Sequence, residues 1–144
     1  MNFLMVETES TDIFFAQRAF SKLVQGELHV VPTDLEAMEL IEAAESGSFP
    51  GLSFPDGVIC DLGSLIRSDF EFIRWARAHS SERISRLPLL VAGEVCLGKF
   101  EHKAMQLGAT ECVIKPVNWV QIVKITSACL SSPMRASEDL ISFL

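Results

Sequence analysis

Basic residues never cluster in this chain: twelve Lys and Arg are scattered against nineteen Asp and Glu, for a net charge of −7. Gripping nucleic-acid phosphates takes grouped cations, so direct nucleic-acid binding is disfavoured. Long apolar runs are missing too. The N-terminus, Met1-Asn2-Phe3-Leu4-Met5-Val6, is only briefly apolar and has no basic flank, so it reads as neither a signal peptide nor a membrane span. The four cysteines, Cys60, Cys96, Cys112 and Cys129, form no C-x-x-C pair. That argues against a zinc or redox centre and fits free thiols in a reducing cytoplasm. His29, His79 and His102 are equally dispersed, and no metal site is expected from them. There is no G-x-G-x-x-G, P-loop or G-x-S-x-G motif, and the chain is not read as an enzyme.

What remains is an ordered alternation. A length of 144 residues with 49% hydrophobic content suits one domain with a single sizeable core. Short apolar stretches at Phe3–Val6, Leu28–Val31, Gly57–Cys60, Leu89–Val91 and Glu111–Ile114 read as strands. Between them lie amphipathic segments with helix signals. The first spans about Thr11 to Gln25 and stops at Gly26, a residue suited to a left-handed helix end. The second and third open with Thr33-Asp34-Leu35-Glu36 and Ser68-Asp69-Phe70-Glu71, both of capping-box form. The fourth runs from Lys99 to Leu107, and the fifth from Asn118 to Leu130. Five βα units in succession imply a doubly wound α/β fold, a parallel sheet with right-handed crossovers and helices on both faces. Residues 2–131 are assigned to it, and residues 132–144 to a tail or linker.

Two residues are placed to do chemistry. Asp61 ends the strand Gly57-Val58-Ile59-Cys60, and Lys115 follows the strand Cys112-Val113-Ile114. Strands this apolar are usually covered on both faces, and ligands of such sheets bind beyond the carboxyl ends of the strands. A carboxylate nucleophile beside a fixed cation suits phosphoryl transfer, whose transferred group carries negative charge. A structural ion pair capping the sheet is the simpler alternative.

At this point the chain resembles a response-regulator receiver domain. Gly108-Ala109-Thr110-Glu111-Cys112-Val113-Ile114-Lys115-Pro116 is similar to the family's GADDYLxKP, and Asp69-Phe70-Glu71-Phe72-Ile73-Arg74 to its DGFEFLR, with Asp69 in place of Gly. Phe3-Leu4-Met5-Val6-Glu7 resembles its ILLVE, and Pro88-Leu89-Leu90-Val91 the start of its fourth strand. The resemblance implies the flavodoxin-like strand order 2-1-3-4-5, with two helices on one face and three on the other. It also implies a cis Lys115–Pro116 bond, Asp61 as phosphoacceptor, Lys115 as the phosphoryl contact, and a histidine kinase or phosphotransfer protein as partner.

The departures fall in the pocket. Where the family carries two consecutive acidic residues for Mg²⁺, this chain has Glu7-Thr8, with Glu9 one place late. Glu7, Asp61 and Gly63 are left to hold the ion. Losing one carboxylate weakens such a site by about two orders of magnitude, roughly 2–3 kcal/mol, so Mg²⁺ binding is expected to be weak or absent. Gly93 stands where the family has a Ser or Thr hydroxyl, Cys112 where it has an aromatic, and Leu65 where it has a proline.

Three functions compete. They are a phosphoryl-accepting receiver, a receiver-like interaction module regulated by binding or dimerisation without Mg²⁺-dependent phosphorylation, and a flavodoxin-like or small α/β enzyme. The third is the weakest, because the loop Glu7-Thr8-Glu9-Ser10-Thr11-Asp12 holds three carboxylates and no glycine. The Phe14, Phe15, Phe20, Leu23 and Val24 stripe reads as core. The last helix is apolar over more than the roughly 100° needed against a sheet. A homodimer or partner interface is therefore expected at Trp119 and Ile122, unless Leu140, Ile141 and Phe143 of the tail cover them.

Overall fold

The structure, a computed structural model, describes residues 1–94 and 98–131. Cys96 and the 132–144 tail lie outside the described residues. Strands β1 (Phe3–Val6), β2 (Leu28–Val31), β3 (Gly57–Asp61), β4 (Leu89–Gly93) and β5 (Glu111–Ile114) form one parallel sheet in the order β2-β1-β3-β4-β5. All five sit where the apolar stretches place them, with β3 extended to Asp61 and β4 to Gly93. The register aligns Val6 with Cys60, Asp61 with Ala92, and Gly93 with Ile114. Glu7, Asp61 and Lys115 thus leave the sheet at one edge.

Two helices cover one face. Helix α1 (Ser10–Leu23) contributes Ala16 and Phe20, and the C-terminal helix, Trp119–Leu130, contributes Trp119 and Ile122. They pack on Phe3, Met5, Ile59, Leu90, Ala92 and Val113. The other face carries α2 (Asp34–Ser46), three short helices α3 (Leu62–Arg67), α4 (Glu71–Arg77) and α5 (Glu82–Ser85), and α6 (Gly98–Leu107). The C-terminal helix is accordingly α7. Alternate residues of the same strands, Leu4, Val6, Val58, Cys60, Leu89 and Val91, face this second core. That division follows from the twofold alternation of strand side chains.

Several local expectations give way to tertiary packing. Helix α1 ends at Leu23 with Val24 extended, not at Gly26. Gly26 is required for a different reason: its φ is 143°, and a Cβ there would stand 1.9 Å from the Met1 carbonyl oxygen. Thr33 does cap α2, its Oγ1 accepting from the Glu36 amide at 3.1 Å. Ser68 does not cap the following helix: it ends α3, its hydroxyl donates to Asp34 Oδ2 at 2.6 Å, and α4 starts behind Phe70 without a side-chain cap. Asp69, at the resemblance's glycine position, has a φ of 51°, a left-handed conformation that Asp tolerates better than most residues. The Lys115–Pro116 bond is cis, as the resemblance implied.

Trp119 and Ile122 are corrected outright as interface residues. Trp119 is 1% exposed and Ile122 0%. The Trp119 ring lies 4.9 Å from that of Phe20 and 5.4 Å from that of Phe3. Its indole N–H donates to the Ala16 carbonyl at 2.9 Å. An apolar count around a helix does not say which residues face the sheet, and these two do. Conversely Phe14 and Phe15, expected in the core, are more than half exposed, as is Leu23. Trp119→Ala is expected to cost about 3–5 kcal/mol in denaturant unfolding, with the Ala16 carbonyl left unpaired. A loss below about 1 kcal/mol would contradict this placement.

Candidate functional site

Lys115 follows β5 and is held at the sheet edge by its own backbone, whose N–H donates to the Gly93 carbonyl at 2.8 Å. Its side chain turns across the edge towards β3 and β1. The ammonium nitrogen lies 2.7 Å from Asp61 Oδ1, 2.5 Å from Glu7 Oε2 and 3.1 Å from Asp12 Oδ2. Asp61 and Lys115 are therefore in direct contact. Asp12, in the first turn of α1, is the residue the sequence reading missed. Its only signal was a place in the acid-rich loop after β1, where spacing did not single it out.

Asp61 and Glu7 each have their second oxygen engaged as well. Asp61 caps α3, Oδ2 accepting from the Ser64 amide at 3.0 Å. Glu7 Oε1 accepts from the Thr8 and Glu9 amides at 3.0 and 3.2 Å. Burial would lower the Lys115 pKa, but hydrogen bonds to Asp61, Glu7 and Asp12 outweigh it and raise the pKa above the ordinary lysine value. A lysine raised in this way gives its full stabilisation below the unfolded-chain lysine value. It loses that only as pH climbs through the raised one. The cation is fixed at any physiological pH.

The remaining positions are occupied as follows. Glu9 does not swing inward: its Oε2 accepts from the Asp12 amide at 2.7 Å, making it the cap of α1. That backbone hydrogen bond holds its carboxyl below the ordinary range. Thr8 is exposed and Gly93 brings no side chain to the edge. Gly63 follows Asp61 so closely that a Cβ on it would stand 3.1 Å from Asp61 Oδ2. Cys112 packs at the border of the second core, where burial pushes its thiol up to about 11.

Three carboxylates against one ammonium leave two formal negative charges at the edge. Their hard oxygens are the donor type Mg²⁺ prefers and the charge suits such an ion, although among the described residues no three such side chains are grouped so as to hold one by themselves. The two innermost oxygens, however, already accept from Lys115. Removing that ammonium should make the competition visible. Lys115→Met is expected to lose about 3 kcal/mol of stability at pH 7 and to recover part of it in millimolar Mg²⁺, read as a thermal midpoint. A variant indifferent to Mg²⁺ would mean that the carboxylates do not act as one cluster.

No family model and no curated protein matches the chain. Solved structures do. A response regulator from Hahella chejuensis is 22% identical, with a TM-score of 0.67 over 91% of this chain and 96% of that one. A response regulator in red light signalling of R. palustris is 20% identical, with a TM-score of 0.66 over 90% of this chain and 89% of that one. The receiver domain of a sensor histidine kinase from Pseudomonas aeruginosa PAO1, which has a magnesium ion coordinated in its active-site cleft, is 17% identical. Its TM-score is 0.65 over 91% of this chain and 98% of that one. The fold is that of response-regulator receivers. In this receiver fold the end of β3 carries Asp61, and the residue after β5 is Lys115.

Proposed function

We propose that the chain is a receiver module of two-component signalling, with Asp61 as the acceptor of a phosphoryl group from a histidine kinase or phosphotransfer partner. The observation that carries this reading is Asp61 Oδ1 held 2.7 Å from the Lys115 ammonium at the carboxyl edge of a receiver sheet. In the step itself an Asp61 carboxylate oxygen attacks the phosphorus of a partner phosphohistidine. The O–P bond forms, the N–P bond breaks, and its electron pair returns to the imidazole nitrogen, which takes up a proton. Negative charge collects on the phosphoryl oxygens, and Lys115 is positioned to meet it. Gly63 clears the approach, since any side chain there would crowd the carboxylate.

Glu7, Asp61 and the Gly63 carbonyl are the groups that would hold Mg²⁺. A bound ion supplies further neutralisation of the phosphoryl oxygens. Its affinity is low on this reading, because Thr8 adds no charge and Lys115 already takes the carboxylate oxygens. Thr8→Asp is expected to tighten Mg²⁺ binding by about two orders of magnitude in a calorimetric titration. Micromolar binding by the wild type would refute the low affinity.

A second reading is favoured by the missing hydroxyl at Gly93: a receiver-like module that signals through binding or dimerisation, without Mg²⁺-dependent phosphorylation. With Trp119 and Ile122 buried, the apolar groups this reading has on the β5–α7 side are the half-exposed Ile114 and Val120. Incubation with acetyl phosphate and Mg²⁺, followed by intact mass measurement, separates the two. A stoichiometric phosphate adduct that disappears in Asp61→Asn supports the acceptor; an unmodified wild type selects the second reading.

A further inference from the structure

Lys115 is shared by three carboxylates, so the edge is formally two charges negative before any phosphoryl group arrives. A phosphoryl group brings more negative charge, and one ammonium already bound three ways neutralises little of it. Receiver chemistry at this edge requires another cation. Arg67, at the C-terminal end of α3, is close by. Its Nη1 lies 3.4 Å from the point where a Cβ on Gly63 would stand, the point that is also 3.1 Å from Asp61 Oδ2. The guanidinium and the carboxylate therefore flank the same empty position. It is empty because residue 63 is glycine.

Two further facts make this arginine available. It is exposed, and among the described residues it makes no hydrogen bond or ion pair. It also lines a groove of about 440 Å³ with the hydroxyls of Thr8, Thr33, Ser64 and Ser68, where among the described residues it is the one cation beside the carboxylates of Asp34 and Glu71. Two other basic side chains near the α3–α4 turn are taken by Asp69: Lys103 of α6 at 2.7 Å and Arg74 of α4 at 3.1 Å. Guanidinium is suited to the role, since it stays charged and presents paired donors to phosphoryl oxygens.

We propose that Arg67 is a phosphoryl-contacting residue, closing over the group on Asp61 from the Gly63 side and bringing positive charge and hydrogen-bond donors to an edge where Gly93 has no hydroxyl and Thr8 no carboxylate to secure a metal ion. The inference rests on the reading of Asp61 as phosphoacceptor. Arg67 donates hydrogen bonds to phosphoryl oxygens and takes no part in bond making. Lys115 and Arg67 then hold the group from opposite sides, and the glycine is the gap through which the arginine reaches.

The test is a time course of adduct formation with acetyl phosphate, with and without Mg²⁺, for wild type, Arg67→Ala and Arg67→Lys, read by intact mass. Since Arg67 is exposed and unpaired, both variants should keep the wild-type thermal midpoint. Arg67→Ala is expected to slow adduct formation at least about tenfold, the effect of losing a charge-assisted contact, and Arg67→Lys to keep an intermediate rate. A wild-type adduct formed equally fast by Arg67→Ala would overturn the role of Arg67 and leave the acceptor reading standing. If the wild type forms no adduct, the acceptor reading fails. The Ser64 amide, followed by NMR during titration with inorganic phosphate, then decides for Arg67. A shift lost in Arg67→Ala upholds an anion contact at this position; no shift in the wild type refutes it.

Discussion

One ammonium group ties four elements together. Lys115, after β5, reaches Asp61 at the end of β3, Glu7 at the end of β1 and Asp12 in α1. Two of these contacts span more than one hundred residues of sequence, so they form only once the sheet is assembled in its final order. The sheet in turn makes them possible. Parallel strands in register deliver their carboxyl ends to one edge, and the apolar faces leave that edge as the place where polar groups can gather. Asp61 cannot be described apart from this cluster, because its charge is shared before any ligand approaches.

That sharing sets what the pocket can do. A receiver with two acidic residues after its first strand reserves charge for a metal ion. Here Thr8 contributes none, while Asp12, which spacing did not single out, directs its carboxylate to the lysine. Glu9 is diverted to capping α1. The pocket has thus not simply lost an acid. It has acids in different places, serving a lysine and a helix end. On the proposed acceptor reading, the missing Gly93 hydroxyl and the side-chain-free Gly63 would leave the phosphoryl group to be met mainly by cations.

The sheet was legible in the sequence for a plain reason. The inner strands β1, β3 and β4 are short, nearly unbroken apolar stretches of the kind a doubly covered parallel sheet accommodates, the edge strands β2 and β5 carry the polar His29 and Glu111, and all five fall where those stretches lie. Asp61 and Lys115 were legible because strand ends are fixed once the strands are. Failures came where a residue had two possible partners. Ser68 has the form of a helix cap, yet its hydroxyl goes to Asp34, thirty-four residues away. Trp119 and Ile122 belong to a helix apolar on most sides, and only the packing of Phe3 and Phe20 shows which side faces inward. Phe14 and Phe15 erred the other way: at helical spacing with Phe20, they nonetheless point off the buried face. Pattern gives the period of a helix, and its rotation is set by what it meets.

Glu7 brings the cluster back to energetics. It is a buried carboxylate, and removing a charge from water costs several kcal/mol that a partner often fails to recover in full. Apolar side chains of similar volume would serve stability as well or better. The three carboxylates around Lys115 even leave the edge short of positive charge, an arrangement that stability does not favour. A structural ion pair needs one acid for one base, and a site made to receive a further cation has reason to hold them out of balance. The imbalance at this edge is one that a further cation would relieve, and cohesion alone does not call for it.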